Sequence, residues 1–211
     1  MRRSAAALLL IAGAATPACL LAQAPAPATA FGVLGGVNVS NIRGEGTGGT
    51  DNKIGFALGG FARIPISGAW SFQPELEYSM KGTKETDNSG GTPATATLKL
   101  NYFEIPLLLR VAAPSSPSGR LFAEAGPAVA INVSCDISAS GSGVTVSGSC
   151  ASAGLDVNTL DIGGMIGGGY EFTLGGHGLS IGARYTYGFA SIASGGTTKN
   201  SNLQFLAGLR L

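Results

Sequence analysis

The chain is poor in charge, in histidine and in long apolar runs, and each shortage excludes a class of protein. Only 12% of its 211 residues are charged, against a typical share of about 25%. Its single histidine, His177, is too little for a zinc site or a histidine-dependent catalytic centre. After the first thirty residues no apolar run reaches the roughly 20 residues of a transmembrane helix. We therefore expect no enzyme, no metal or other cofactor, and no membrane-spanning helix.

The charge balance also excludes a partner class. The formal net charge is +1, and the lysines and arginines are scattered along the chain. Nucleic-acid-binding proteins cluster such residues on one face or alternate them with aromatic residues. We therefore predict no nucleic-acid partner.

The first thirty residues have the organisation of a secretory signal peptide. Arg2 and Arg3 precede an apolar stretch at residues 5–15, and small residues with possible cleavage points between residues 22 and 30 follow. We predict that residues 1–30 comprise the signal peptide and a short segment after it. Residues 31–211 would then form the mature domain.

Cysteine is also scarce, and its placement suggests one crosslink. Cleavage of the signal peptide would remove Cys19 and leave Cys135 and Cys150. An exported protein is able to oxidise such a pair, so we predict a disulfide between them. Two free thiols in a mobile loop are the alternative.

The mature chain is rich in alternating patterns, which predict β-strands. Along residues 70–81 every second residue is apolar or aromatic and the residues between are polar or charged. Residues 179–190 have the same alternation, with polar, charged or very small residues between the apolar ones. Successive side chains of a strand point to opposite faces, so each segment has one apolar and one polar face. We predict eight strands, at residues 31–40, 53–65, 70–82, 97–112, 120–133, 159–172, 179–192 and 202–211.

The connections between these strands alternate between long and short. Residues 41–52, 83–96 and 134–158 form long links, residues 66–69, 113–119 and 173–178 form short ones, and residues 193–201 form a link of intermediate length. In an up-and-down sheet this rhythm places all long loops at one end, which is typical of bacterial outer-membrane barrels. Most strands also reach the roughly 9 to 11 residues that cross a bilayer. We predict an all-β fold, an eight-stranded antiparallel up-and-down transmembrane β-barrel, monomeric and surrounded by outer-membrane lipid.

The polar faces carry equal numbers of positive and negative side chains. An eight-stranded barrel is only wide enough for side chains to fill it, so inward-facing charges must neutralise one another. A phase shift in the fourth strand near Tyr102 and Phe103 indicates a β-bulge. The predicted interior ionic network consists of Arg63, Glu75, Glu77, Lys81, Lys99, Glu104, Arg110, Glu124, Asp161, Glu171, Arg184 and Arg210.

Four segments carry a family resemblance. QPELEYSMKG (residues 73–82), LNYFEIPLLLR (100–110), FAEAGPAVA (122–130) and GGGYEF (167–172) resemble the bacterial porin-family outer-membrane β-barrel domain over essentially the whole mature chain. The family name describes an architecture rather than a channel activity. The ending Phe205, Leu209, Leu211 is similar to the C-terminal signal read by the barrel assembly machinery, and this implies that machinery as a partner.

Three functional hypotheses follow from these patterns. The first is a non-catalytic outer-membrane barrel that acts in envelope structure or in binding through its surface loops. The second is a narrow porin or lipid-handling barrel, which needs a continuous polar path past Arg63, Glu75, Glu124 and Arg184. The third is a soluble exported ligand-binding barrel, which turns its apolar face inward.

Overall fold

The computed structural model describes residues 28–44, 47, 50–88, 93–193 and 195–211. The predicted signal peptide and its cleavage range lie outside these residues, except for positions 28–30. No helix in the described part of the chain is long and apolar enough to cross a membrane.

The described residues contain nine strands in one antiparallel sheet, and eight of them close into a ring. The strands are β1 (Ala30–Arg43), β2 (Thr50–Ser67), β3 (Trp70–Asp87), β4 (Ala94–Ala112), β5 (Arg120–Gly141), β6 (Val144–Ser149), β7 (Leu160–Leu174), β8 (His177–Gly188) and β9 (Lys199–Arg210). Each ring strand pairs with its neighbours in sequence, and β1 pairs with β9 to close the barrel. β6 lies outside the ring, because β5 pairs with β7 along residues 120–131 and with β6 along residues 136–141. The predicted eight-stranded barrel is confirmed.

Several strands are longer than the sequence patterns predicted. β3, β4 and β5 contain 18, 19 and 22 residues, about twice the 9 to 11 that cross a bilayer. Much of the predicted loops 83–96 and 134–158 is therefore paired β-structure. Apolar alternation ends before these strands do, but threonine and small residues continue the backbone pairing, for example between Thr86 and Thr95.

The ring has one end with short turns and one with long connections, hereafter the short-turn end and the long-strand end. At the short-turn end Gly175 and Gly176 link β7 to β8, both with positive φ (59° and 84°). Two-residue hairpin loops require this conformation, which glycine adopts without steric cost. The long-strand end carries the extended β3, β4 and β5.

The outer surface is apolar and the interior is polar. Outward side chains such as Ile54 and Leu58 are more than 60% exposed, whereas inward Glu77 and Gln204 are fully buried. In most strands the face predicted to be apolar points outward and the face predicted to be polar points into the barrel. The exposed apolar belt includes Phe31, Val33, Ile54, Phe56, Leu58, Leu76, Phe103, Leu109, Leu121, Ile162, Ile166, Ile181 and Phe205.

A register shift between β4 and β5 corrects the predicted bulge. Asn101 pairs with Ser134 while the next residue, Tyr102, pairs with Asn132, so Val133 of β5 is the extra residue. The prediction placed the irregularity in the wrong strand. Because β4 continues its alternation without interruption from Leu100 to Ala112, Lys99 faces outward and is exposed.

Closure between β1 and β9 depends on a glycine. A Cβ at Gly36 would lie 1.9 Å from the carbonyl oxygen of Phe205, so the two backbones would have to separate. We expect Gly36→Ala to lower the free energy of unfolding by about 1–3 kcal/mol, measured by urea titration with heat-modifiable gel mobility. Gly35→Ala is the matched control, because its Cβ would approach nothing closer than 3.4 Å, at the flexible Leu58 side chain. Equal stability of the two variants would contradict this account.

Candidate functional site

The barrel interior contains three layers of charged side chains, and alternation along the strands explains how they meet. Residues two apart on one strand project from the same face. β3 therefore delivers Gln73, Glu75, Glu77, Ser79 and Lys81 into the lumen, all of them buried.

The central layer consists of Arg184 of β8 and the three carboxylates that it binds. The Nη1 atom of Arg184 lies 2.7 Å from Oε2 of Glu75 and 3.2 Å from Oε1 of Glu77, and its Nε atom lies 3.6 Å from Oε1 of Glu124. The four side chains come from three strands and bridge the barrel. One guanidinium thus serves three carboxylates, all of them buried.

Two amides hold the carboxylates of the central layer. Gln73 Nε2 donates to Oε1 of Glu75 at 2.7 Å, and Gln204 Nε2 donates to Oε2 of Glu77 at 3.3 Å. These bonds offset part of the desolvation cost of the buried charges. They also fix the side-chain positions of both glutamates relative to Arg184.

The layer at the short-turn end is centred on Glu171 of β7. Its Oε2 accepts from Arg63 Nη1 at 2.9 Å and from Arg110 Nη2 at 2.5 Å, and its Oε1 accepts from Arg120 Nε. Arg110 Nη1 also donates to Glu124 at 3.1 Å, which connects this layer to the central one. Positive charge therefore exceeds negative charge at this end of the lumen.

The third layer lies toward the long-strand end. Lys81 forms a salt bridge with Glu104, and its ammonium lies 5.5 Å from the centre of the Tyr102 ring, within cation–π range. Asn200 Nδ2 donates to Asp161 Oδ2 at 2.6 Å and to the Tyr102 hydroxyl at 3.0 Å. Asp161 is thus held by an amide and forms no salt bridge within the described residues.

The structure brings nine of the twelve predicted interior residues into salt bridges. These are Arg63, Glu75, Glu77, Lys81, Glu104, Arg110, Glu124, Glu171 and Arg184. Asp161 is buried, and Arg210 borders the short-turn end of the lumen. The prediction for Lys99 is wrong, because β4 keeps its alternation and directs this side chain outward, where it is exposed.

Two cations were missed by the sequence analysis. Lys53 is only 4% exposed inside the barrel, and Arg120 binds Glu171. Alternation along the strands could have found both. Lys53 lies an even number of residues from the inward-facing Arg63 on β2, and Arg120 lies an even number of residues from the inward-facing Glu124 on β5. Lys53 thus takes the place in the charge balance that Lys99 was predicted to occupy.

An apolar cluster closes the lumen at the long-strand end. Ile192 is 5% exposed and packs against Leu100, Tyr102 and Ala130. Its carbonyl accepts from the amide of Asn158 at 2.7 Å, which ties the two connections of this end together. The prediction that the seventh strand continues to residue 192 is wrong: β8 ends at Gly188, and the following residues fold over the lumen.

β5 and β6 form a hairpin that continues the wall of the barrel beyond its rim. They pair from Asp136 with Ser149 to Gly141 with Val144. The predicted disulfide between Cys135 and Cys150 is confirmed and fixes the base of the hairpin, where the two Cα atoms lie 5.4 Å apart.

Side chains typical of catalysis are sparse. His177 is exposed at the beginning of β8, in the tight turn after β7. Within the described residues no group of three or more His, Cys, Asp or Glu side chains is arranged to hold a metal ion. The interior charges instead bind one another.

Comparison with known proteins identifies the family. The sequence profile of the outer membrane protein beta-barrel domain matches residues 22–194. The chain belongs to this family. It is therefore a bacterial outer-membrane protein, and its short-turn end faces the periplasm while the long-strand end is extracellular. No curated protein sequence matches it significantly.

Solved structures to which the chain is similar include three bacterial outer-membrane or surface proteins. The crystal structure of Ail, the attachment invasion locus protein of Yersinia pestis in complex with the heparin analogue sucrose octasulfate, shares 14% identity, with a TM-score of 0.44 over 87% of this chain and 99% of that one. Neisserial surface protein A shares 16% (TM-score 0.46; 88% and 99%). OprG from Pseudomonas aeruginosa shares 13% (0.43; 87% and 96%).

Removal of Arg184 tests the central layer of this outer-membrane barrel. We expect Arg184→Gln to lower the free energy of unfolding by about 3–5 kcal/mol, because it leaves two buried glutamates without their cation. Urea unfolding followed by gel mobility measures the effect. Arg43→Gln is the matched control, since Arg43 is exposed at the extracellular end. A loss below that of the control would show that the layer contributes no stability.

Removal of the disulfide should affect only the stability of the β5–β6 hairpin. The double variant Cys135→Ser/Cys150→Ser should open the hairpin more readily by up to about 3 kcal/mol, because the crosslink restricts its open state. Hydrogen exchange at the amides of β6 reports this opening, with β8 amides as an internal reference. Faster exchange in both strands, or in neither, would contradict a crosslink that acts on the hairpin alone.

Proposed function

We propose that this protein is a closed, non-catalytic outer-membrane barrel that anchors an extracellular β-hairpin used for binding at the cell surface. The observation that carries the proposal is the blocked lumen. Salt bridges cross it at the central layer and apolar packing fills it at the extracellular end. A barrel of this kind offers its external strands, rather than its interior, for interaction.

The central layer opposes passage of solutes. A solute crossing here would have to part Arg184 from Glu75, Glu77 and Glu124. Breaking a buried ion pair costs about 3–5 kcal/mol when one partner is lost. The cavity beside this layer, lined by Arg63, Arg110 and Arg184 among others, measures about 30 Å³, which is room for about one water molecule.

The extracellular end provides a second block. Ile192 and Leu100 are almost entirely buried there, so the top of the lumen is apolar and packed. The connection that carries Ile192 is bonded at both sides, since its amide donates to Thr198 and its carbonyl accepts from Asn158. This cluster would have to unpack before an ion could enter from outside.

The hairpin has the properties of a binding element. β4, β5 and β6 form a three-stranded sheet above the membrane, in which Val144 and Val146 are 63% and 68% exposed. A shallow concavity of about 410 Å³ lies against these residues and Ala139. Because the disulfide and the strand pairing fix the hairpin in advance, binding would lose little conformational entropy.

The rival functions fit the interior less well. A narrow porin needs the continuous polar path that the central layer interrupts. The soluble ligand-binding barrel is excluded, because the protein is an outer-membrane barrel whose apolar side chains face outward. An enzyme would need a reactive set of side chains, and the one histidine of the chain stands alone in a periplasmic turn.

Planar-bilayer recording tests the closed lumen. We expect no discrete conductance steps from purified, refolded protein whose folding is verified by heat-modifiable mobility, because the lumen is blocked at two levels. Steps in the wild type that disappear in Arg184→Gln, and persist in Arg43→Gln, would instead establish a narrow channel and overturn the proposal.

Epitope insertion tests the placement of the hairpin. A tag inserted between Ser142 and Gly143 should bind antibody on intact cells, because this turn is extracellular. A tag between Gly175 and Gly176 should bind antibody only after the outer membrane is permeabilised. The reverse pattern would remove the hairpin from the cell surface.

A further inference from the structure

We propose that the periplasmic end of the barrel holds a binding site for a phosphate group. The site is separate from the hairpin. The proposal shares with the function proposed above only the closed lumen, and it rests otherwise on a cavity and on the arginines that line it.

The cavity opens at the short-turn end and measures about 280 Å³. Its walls come from the β4–β5 and β7–β8 turns and from the ends of β2 and β9. Polar side chains dominate its lining, which includes Arg63, Arg120, Arg210, Ser116, Ser180 and Glu171. Its volume lies at or just below the small end of the usual range for ligand pockets, roughly 300 to 1,000 Å³, so it suits a small group.

The cavity carries an excess of positive charge. Three guanidinium groups, those of Arg63, Arg120 and Arg210, line it together with one carboxylate, that of Glu171. A fourth, buried guanidinium, that of Arg110, also binds Glu171. The single negative charge of the lining therefore faces three positive ones.

Donor groups remain at the cavity after the internal bonds are formed. Each guanidinium has five N–H donors. Arg120 uses its Nε for Glu171, and Arg63 uses Nε for Gln73 and Nη1 for Glu171. Arg210 forms no salt bridge with any described residue. The spare N–H groups of these three arginines border a cavity that water and solutes reach from the periplasm.

A phosphate group matches this arrangement. It carries up to two negative charges, and its oxygens accept paired hydrogen bonds from guanidinium forks. The cavity ends against the tight pocket of about 30 Å³ in front of the central layer, so an anion would be held rather than passed on. Such a group reaches this place either as a free phosphate ester or as the headgroup of an inner-leaflet lipid.

Calorimetric titration with inorganic phosphate tests the site. Wild-type protein in non-ionic detergent and phosphate-free buffer should show saturable binding. Arg210→Gln should weaken it by about tenfold, since a hydrogen bond to a charged group is lost, and Arg210→Lys should weaken it less. Arg210 is chosen because its removal breaks no salt bridge, so the variant should fold with unchanged gel mobility.

The control variant is Arg43→Gln at the extracellular end, which should bind phosphate as the wild type does. Absence of saturable binding by the wild type overturns the proposal. So does an equal loss in Arg43→Gln and Arg210→Gln, because it would reflect net charge alone. Neither result bears on the conductance test.

Reconstitution separates the two sources of phosphate. Wild-type protein is placed in nanodiscs of a neutral glycolipid that contains no phosphate, or of the same lipid with a zwitterionic phospholipid added, and titrated with glycerol phosphate. Weaker binding in the phospholipid discs would assign the site to a lipid headgroup, which then competes. Equal binding in both would assign it to free phosphate esters.

Discussion

The buried guanidinium of Arg184 sets the conditions for the rest of the barrel interior. Removing a charge from water costs several kcal/mol, and here three carboxylates share the guanidinium of Arg184 in the middle of the lumen. The amides of Gln73 and Gln204 then become necessary, because they hold glutamate oxygens that Arg184 does not bind. The same requirement explains why Arg110 binds both Glu124 and Glu171, and so joins the central layer to the periplasmic one.

The interior ends in apolar packing on the extracellular side and in charged, solvent-accessible side chains on the periplasmic side. At the extracellular end Ile192, Leu100 and Tyr102 exclude water by apolar packing, and the wall continues upward as paired strands with a disulfide at the base of the hairpin. At the periplasmic end the walls stop at tight turns, and Arg63, Arg120 and Arg210 remain in reach of solvent. A closed lumen with one polar, open end therefore presents two separate surfaces, a hairpin outside the cell and a cationic cavity inside the envelope.

Alternation along the strands predicted most of the interior residues correctly. Each wrong or missing prediction has an identifiable cause. Glu75, Glu77 and Lys81 follow from alternation along a single strand. Lys99 was misplaced because the phase shift was attributed to β4, whereas the extra residue, Val133, belongs to the neighbouring strand. Arg120 had the correct parity and was omitted because it stands at a strand end.

The sequence by itself determined the periodicity of the strands, their number in the ring, the polarity of each face and the pairing of Cys135 with Cys150. These are local properties, since they depend on residues that are neighbours in the chain or on the few cysteines available. Only the tertiary structure decided that Arg184 meets Glu75 and Glu77, more than 100 residues away, and that Ile192 folds over the lumen. Such contacts depend on the register between strands and on the curvature of the closed ring, and these emerge only when all eight strands pair together.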